Sequence, residues 1–199
     1  MTQGKRPALS LFVLIQFLLL SSLISQTIAQ TAPPAKPSSE GTLPLHEGWS
    51  LQTSTNVKAK GEVISTPKFV PKGWHEATVP TTVVAALVKD KTFPDPLFGM
   101  NLRQYPGVNY PIGGNFSNIA MAPDSPYAVS WSYRKQFTVP ATYKGKSIWL
   151  KFNGINYRAN IFLNGKQIAK DDDVAGAWRT YEFNITDAAK PGAENVLAV

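Results

Sequence analysis

The 199-residue chain holds two histidines and no cysteine, so side chains suited to acid-base, nucleophilic or metal chemistry near neutral pH are scarce. His46 and His75 stand far apart, without a cysteine or a carboxylate cluster nearby, and zinc-site spacing is absent. Asp171, Asp172 and Asp173 stack three carboxylates in "KDDDV", but a calcium loop spaces its oxygen ligands and bends around a glycine. A solvated turn is the expectation there. No Gly-x-Ser-x-Gly elbow or phosphate loop occurs, and neither histidine has a nucleophile at a recognisable offset. Two carboxyl groups for glycoside cleavage meet only in the fold, so sequence spacing neither finds nor rejects them. The residues imply no metal and no cofactor.

The elements that would carry any site read as strands. From residue 45 onward, Pro, Gly and Asn recur at short intervals, and the stretches between are rich in Trp, Tyr, Phe, Val and Ile. In "SIWLKFNG", Ile148, Leu150 and Phe152 alternate with Trp149, Lys151 and Asn153, which predicts one apolar and one mixed face. "SWSYRKQFTVP" places Trp131, Tyr133, Phe137 and Val139 on one face, interrupted by Lys135, and "TYEFNIT" repeats the alternation with Tyr181, Phe183 and Ile185. "GWSLQTS", "HEATVP" and "NVLAV" are further strands. Asn164-Gly165 in "NIFLNGKQI" suits a type I′ hairpin turn, because both central residues must take positive φ. One helix is expected, in "TTVVAALVKD" at 81–90, with Thr81 or Thr82 as its cap. About seven short strands and one helix predict an all-β jelly-roll sandwich. The stretch from Lys91 to Pro126 is long for a loop, and its aromatic residues predict an ordered one.

Upstream of this domain, Lys5 and Arg6 precede the apolar run from Ala8 to Ser25, and Thr27 and Ala29 fit a cleavage site. Residues 1–29 are thus expected to be a signal peptide. The run also approaches the roughly 18 to 20 residues that a retained anchor helix would need. Residues 30–44, rich in Pro, Ser, Thr and Ala, read as a flexible lead-in, and 45–199 as the folded domain. Export predicts a secreted or periplasmic protein with no membrane contact after cleavage. The formal charge of +7 is scattered, without a basic helix or block, so nucleic acid is not expected as a partner.

Read in order, "WSYRKQFTVP", "KSIWLKFNGINYRANIFLNGKQIA", "WRTYEFNIT" and "NVLAV" resemble the N-terminal sugar-binding-type domain of glycoside hydrolase family 2. "GWSLQ", "GWHEATVPTTVVAAL" and "FPDPLFGMNLR" resemble its exo-β-glucosaminidase and β-mannosidase branch, and the likeness spans Gly48 to Val199. The resemblance implies a domain that does no chemistry itself. It packs in cis beside a barrel that carries both catalytic glutamates, and the carbohydrate substrate is met through that parent enzyme. It also implies that Val199 falls within the last strand, leaving the sandwich incomplete at its C-terminus and a neighbouring strand unpaired.

Two segments of the family's first domain approach the sugar pocket. By resemblance, Asp95, Asn101 and Arg103 in "PDPLFGMNLR" are substrate-binding positions at the pocket rim, and Trp178 and Arg179 lie where the domain nears the barrel. Asp95, between two prolines, could equally fix a turn, and Arg179 could bridge domains. Many relatives carry Asp where this chain has Asn184, which creates a sequon beside the one at Asn115. A free-standing carbohydrate-binding module or lectin-like adhesin is the alternative reading, because sandwich folds host many functions.

Overall fold

The computed structural model describes residues 41–107, 123 and 125–199. The expected signal peptide, residues 30–40 of the lead-in, and Tyr110, Asn115 and Phe116 of the long loop lie outside the described residues. The chain divides into Met1–Ser38 and Ser39–Val199, and the second unit is the β-sandwich. Its strands are β1 (Trp49–Thr53), β2 (His75–Ala77), β3 (Trp131–Thr138), β4 (Trp149–Phe152), β5 (Ile161–Leu163), β6 (Lys166–Ala169), β7 (Tyr181–Asn184) and β8 (Glu194–Ala198). Six of them form one sheet in the order β2-β1-β3-β8-β5-β6, and β4 pairs with β7 in a second. All these pairings are antiparallel.

Alternation sorts the side chains as the sequence predicts. On β4, Leu150 is buried while Trp149 and Lys151 are exposed, and on β7 Tyr181 is buried while Glu182 is exposed. Leu150, Tyr181 and Ile185 from the small sheet meet Leu51, Ile161, Leu163 and Leu197 from the large one in a single apolar core. Each such side chain contributes about 1.5 to 3 kcal/mol by leaving water. Asn184 closes the turn after β7, its Oδ1 accepting from the Thr186 amide at 3.0 Å and hydroxyl at 2.7 Å. An aspartate there would accept the same two bonds.

β8 departs from the alternating pattern, because Asn195, Val196, Leu197 and Ala198 are all buried. It lies in the middle of the large sheet, in register with β3 at five positions and with β5 at two. Tyr133 and Val199 also exchange both backbone bonds, at 2.8 and 2.9 Å. Over these residues β8 is bonded along both edges, while β3 begins two residues earlier, at Trp131.

The outer face of this sheet is covered too. Register places Arg134 beside Ser50 and Ala198, and Ala198 beside Phe162, on the face opposite Leu197. The Arg134 side chain lies under the segment 61–69: Nε donates to the Ile64 carbonyl at 3.0 Å, and Nη2 to those of Thr66 and Phe69 at 3.1 and 3.2 Å. This segment begins with a one-turn helix, α1 (Gly61–Ile64), which the sequence did not reveal. It has no side-chain cap and contains two β-branched residues, so tertiary contacts must hold it. Gly61 allows that contact: a Cβ there would stand 2.2 Å from the Phe162 ring.

The expected helix is present as α2 (Val83–Lys89), capped by Thr82, whose hydroxyl accepts from the Ala85 amide. The Asn-Gly hairpin joins β5 to β6, with φ of 54° at Asn164 and 87° at Gly165. Its turn is also a junction. Asn164 Nδ2 donates to the Ala188 carbonyl and to Asn195 Oδ1, both at 2.8 Å, and Asn164 Oδ1 accepts from the Val196 amide at 2.9 Å.

Candidate functional site

The segment from Phe93 to Tyr105 is ordered by its own hydrogen bonds and by two rings. The Asp95 carboxylate accepts from the Leu97 amide at 2.9 Å, and the Asp95 carbonyl accepts from Asn101 Nδ2 at 2.9 Å and from the Phe98 amide at 3.3 Å. Asn101 opens a 3₁₀ turn, Asn101–Gln104, that also carries Arg103. Tyr105 is buried, donates its hydroxyl to the Pro94 carbonyl, and packs against Phe93 with ring centres 4.7 Å apart and planes tilted by 30°. Burial, and then the Asp95 charge, push its phenol above the usual tyrosine value. The structure thus brings Asp95, Asn101 and Arg103 into one loop. It gives the Asp95 carboxylate a turn-forming bond, as its place between two prolines had suggested.

Leu97 and Phe98, at the tip of this loop, are 92% and 75% exposed. Trp178 is 98% exposed, on a second loop between β6 and β7. Next to it, Arg179 donates to the Ala175 carbonyl at 3.3 Å and sets its guanidinium 5.5 Å from the Tyr181 ring centre. The bonds of Asp95 and Asn101 stay within the first loop, and that of Arg179 stays within the second. Asp171–Asp173 form the turn after β6, where Asp173 accepts from the Lys170 amide and Arg158 reaches the Asp171 carbonyl and Asp172.

A further constellation was not legible in the sequence. His75 on β2 meets Asp90, the residue capping the C-terminus of α2, with Nδ1 and Oδ2 2.7 Å apart, and Thr92 Oγ1 lies 3.2 Å from the same nitrogen. Burial alone would raise the Asp90 carboxyl, but hydrogen bonds from Thr92 and the bond and charge of His75 bring it below the usual carboxylate value. Only the packing of α2 on β2 makes these partners, so no local spacing announces them. Two depressions flank this trio. One, of about 500 Å³, is walled mainly by polar and charged residues such as Glu47, Glu76 and Lys89. The other, of about 380 Å³, is richer in aromatic faces, among them Phe93, Tyr127 and Trp131.

The same fold recurs in known proteins. Residues 124–199 match the family model described as the glycosyl hydrolase 2 galactose-binding domain-like domain. An exo-beta-D-glucosaminidase of Streptomyces avermitilis is 30% identical over 168 residues, covering 82% of this chain and 16% of that enzyme. A mannosylglycoprotein endo-beta-mannosidase of Lilium longiflorum is 31% identical over 158 residues, covering 78% of this chain and 15% of that protein. Among solved structures, the Amycolatopsis orientalis exo-chitosanase CsxA superposes with a TM-score of 0.64 at 25% identity, over 79% of this chain and 16% of its own. The chain therefore spans about a sixth of the length of these relatives. With its two sheets, its Asn-Gly hairpin and this family match, it belongs to glycosyl hydrolase family 2, of which it carries the galactose-binding-domain-like β-sandwich.

Proposed function

We propose that this chain is the N-terminal, non-catalytic sandwich of an exported, retaining exo-glycosidase acting on β-glucosaminides or β-mannosides. The observation that carries this reading is the similarity of most of the chain to one part of much longer exo-β-D-glucosaminidases. In such a parent, one carboxylate attacks the anomeric carbon and a second carboxyl group protonates the leaving oxygen, after which water releases the sugar. Both groups lie in another domain. The sandwich supplies a scaffold, and its exposed Leu97, Phe98 and Trp178 offer apolar surface for the rest of the enzyme to cover. The loop from Pro94 to Arg103 holds Asn101 at the pocket rim, with Arg103 two residues on in the same 3₁₀ turn. Asp95 and Arg179 shape the two loops, and Trp178 packs between domains. The apolar run before Thr27-x-Ala29 supports export to a secreted or periplasmic location.

The test is Asn101→Ala in the intact parent. Asn101 ties the loop through one bond to the Asp95 carbonyl at a solvent-exposed position, so its loss costs little stability. A lost hydrogen bond to sugar is worth roughly 1 to 3 kcal/mol, so kcat/KM is expected to fall by about 5- to 150-fold with the melting temperature nearly unchanged. Wild-type kinetics in this variant would remove Asn101 from the substrate rim.

A further inference from the structure

The geometry points to Asn153 as a site of spontaneous chemical modification in the native protein. Its side-chain amide converts to aspartate and isoaspartate, whereas the chain's other Asn-Gly pair, Asn164-Gly165, is shielded by the fold. The co-reactant is water. The backbone nitrogen after the asparagine gives its proton to solvent base and attacks Cγ. An N–Cγ bond forms, the Cγ–Nδ2 bond breaks, and Nδ2 leaves as ammonia with a proton from water. Water then opens the five-membered imide: breaking the bond to Cγ gives aspartate, and breaking the bond to the main-chain carbonyl carbon gives isoaspartate. A glycine in second place favours the attack, because no Cβ crowds its nitrogen. Two conditions follow: Cγ must be free to swing towards that nitrogen, and the N–H must be open to base.

The two pairs differ in both respects. Asn153 and Gly154 follow β4 and are exposed. Among the described residues, neither the Asn153 side chain nor the Gly154 amide has a hydrogen-bond partner. Asn164, by contrast, is held by the three side-chain bonds of the junction, two donated by Nδ2 and one accepted by Oδ1. The Gly165 amide donates to the buried Ser65 hydroxyl at 3.0 Å. Three bonds must therefore open before Cγ of Asn164 can turn, and a fourth before the nitrogen is free. The products differ as well. A carboxylate at 164 would set an oxygen against the Ala188 carbonyl and Asn195 Oδ1, whereas one at 153 meets water. A Cβ on Gly154 would stand 3.8 Å from the Ala177 carbonyl, so the new charge arises beside the loop that carries Trp178.

The test is to incubate the full 199-residue chain at mildly alkaline pH, folded and in guanidinium chloride, and to follow both pairs by peptide mass spectrometry with isoaspartate detection. In the folded chain Asn153 is expected to convert at least about thirtyfold faster than Asn164, the factor set by opening several hydrogen bonds first. In denaturant the two rates are expected to agree within about threefold, because both asparagines precede glycine and the shield is gone. Gly154→Ala, whose Cβ makes only an ordinary contact, is expected to slow Asn153 by about tenfold or more. Ser65→Ala removes the acceptor of the Gly165 amide and is expected to speed Asn164 by about two- to tenfold, with Asn153 unchanged. The proposal is overturned if Asn164 keeps pace with Asn153 in the folded chain, or if Asn153 converts only in denaturant. It also fails if Gly154→Ala converts as fast as wild type, or if Ser65→Ala leaves the Asn164 rate unchanged. None of these outcomes depends on the glycosidase reading or on the Asn101→Ala kinetics.

Discussion

Replacing Arg134 with methionine is expected to lower the unfolding free energy of the sandwich by about 3 to 5 kcal/mol. Methionine keeps much of the apolar stem but removes every donor. Arg134 is 2% exposed and ties three carbonyls, those of Ile64, Thr66 and Phe69, to the central strand of the large sheet. Those carbonyls belong to a segment with little regular structure of its own, so few other bonds can take over. Burial pulls the guanidinium below the usual arginine value, partly offset by Glu194, yet so strong a base stays charged at any ordinary pH. The loss is a large share of the stability of a small domain, about 5 to 15 kcal/mol. Urea denaturation with circular dichroism measures it. Arg134→Lys, with one donor head in place of a fork, should fall between methionine and wild type. A methionine variant as stable as wild type would mean that segment 61–69 is held by other contacts.

The second large effect is expected at Asn195, which is fully buried. Its Oδ1 accepts from Asn164 Nδ2 and the Lys190 amide, each at 2.8 Å, and its Nδ2 donates to the carbonyls of Lys190 and Ala193 at 3.0 and 2.9 Å. Every polar capacity of the amide is met. Asn195→Leu, of similar length, would remove all four bonds at once and is expected to cost about 2 to 4 kcal/mol. Because Asn164 shares the network, Asn164→Ala and Asn195→Ala together should cost less than the two single losses added, by about 0.5 to 3 kcal/mol. Strict additivity in that double-mutant cycle would mean that the hairpin turn and β8 are held independently.

These two residues mark what the sequence could and could not say. Period-two alternation names the core on β4 and β7, and Asn-Gly names the hairpin, because each signal is local. Arg134 falls on the face that alternation assigns to water, and only the fold of segment 61–69 over that face buries it. Asn195 and Asn164 are far apart in the chain, so their shared network is a product of the β5–β8 pairing. The candidate rim rests on the likeness of "PDPLFGMNLR" to family members, and the coordinates add the partner of the Asp95 carboxylate, the Leu97 amide. The cavity between β1, β2 and β3 gave no local sign at all, since its lining comes from segments that are distant in sequence.

The reading of this chain as a non-catalytic domain is tested most directly by assaying the purified 199-residue protein against 4-nitrophenyl β-D-glucosaminide and β-D-mannoside. Retaining hydrolysis needs two carboxyl groups about 5 to 5.5 Å apart across the scissile bond, and the proposal assigns both to a domain outside this chain. A folded protein with a cooperative melt and no release of 4-nitrophenol above a mock preparation is the expected result. Turnover that co-purifies with the folded chain and is absent from the mock would contradict it, because the sandwich would then have to contain the catalytic pair.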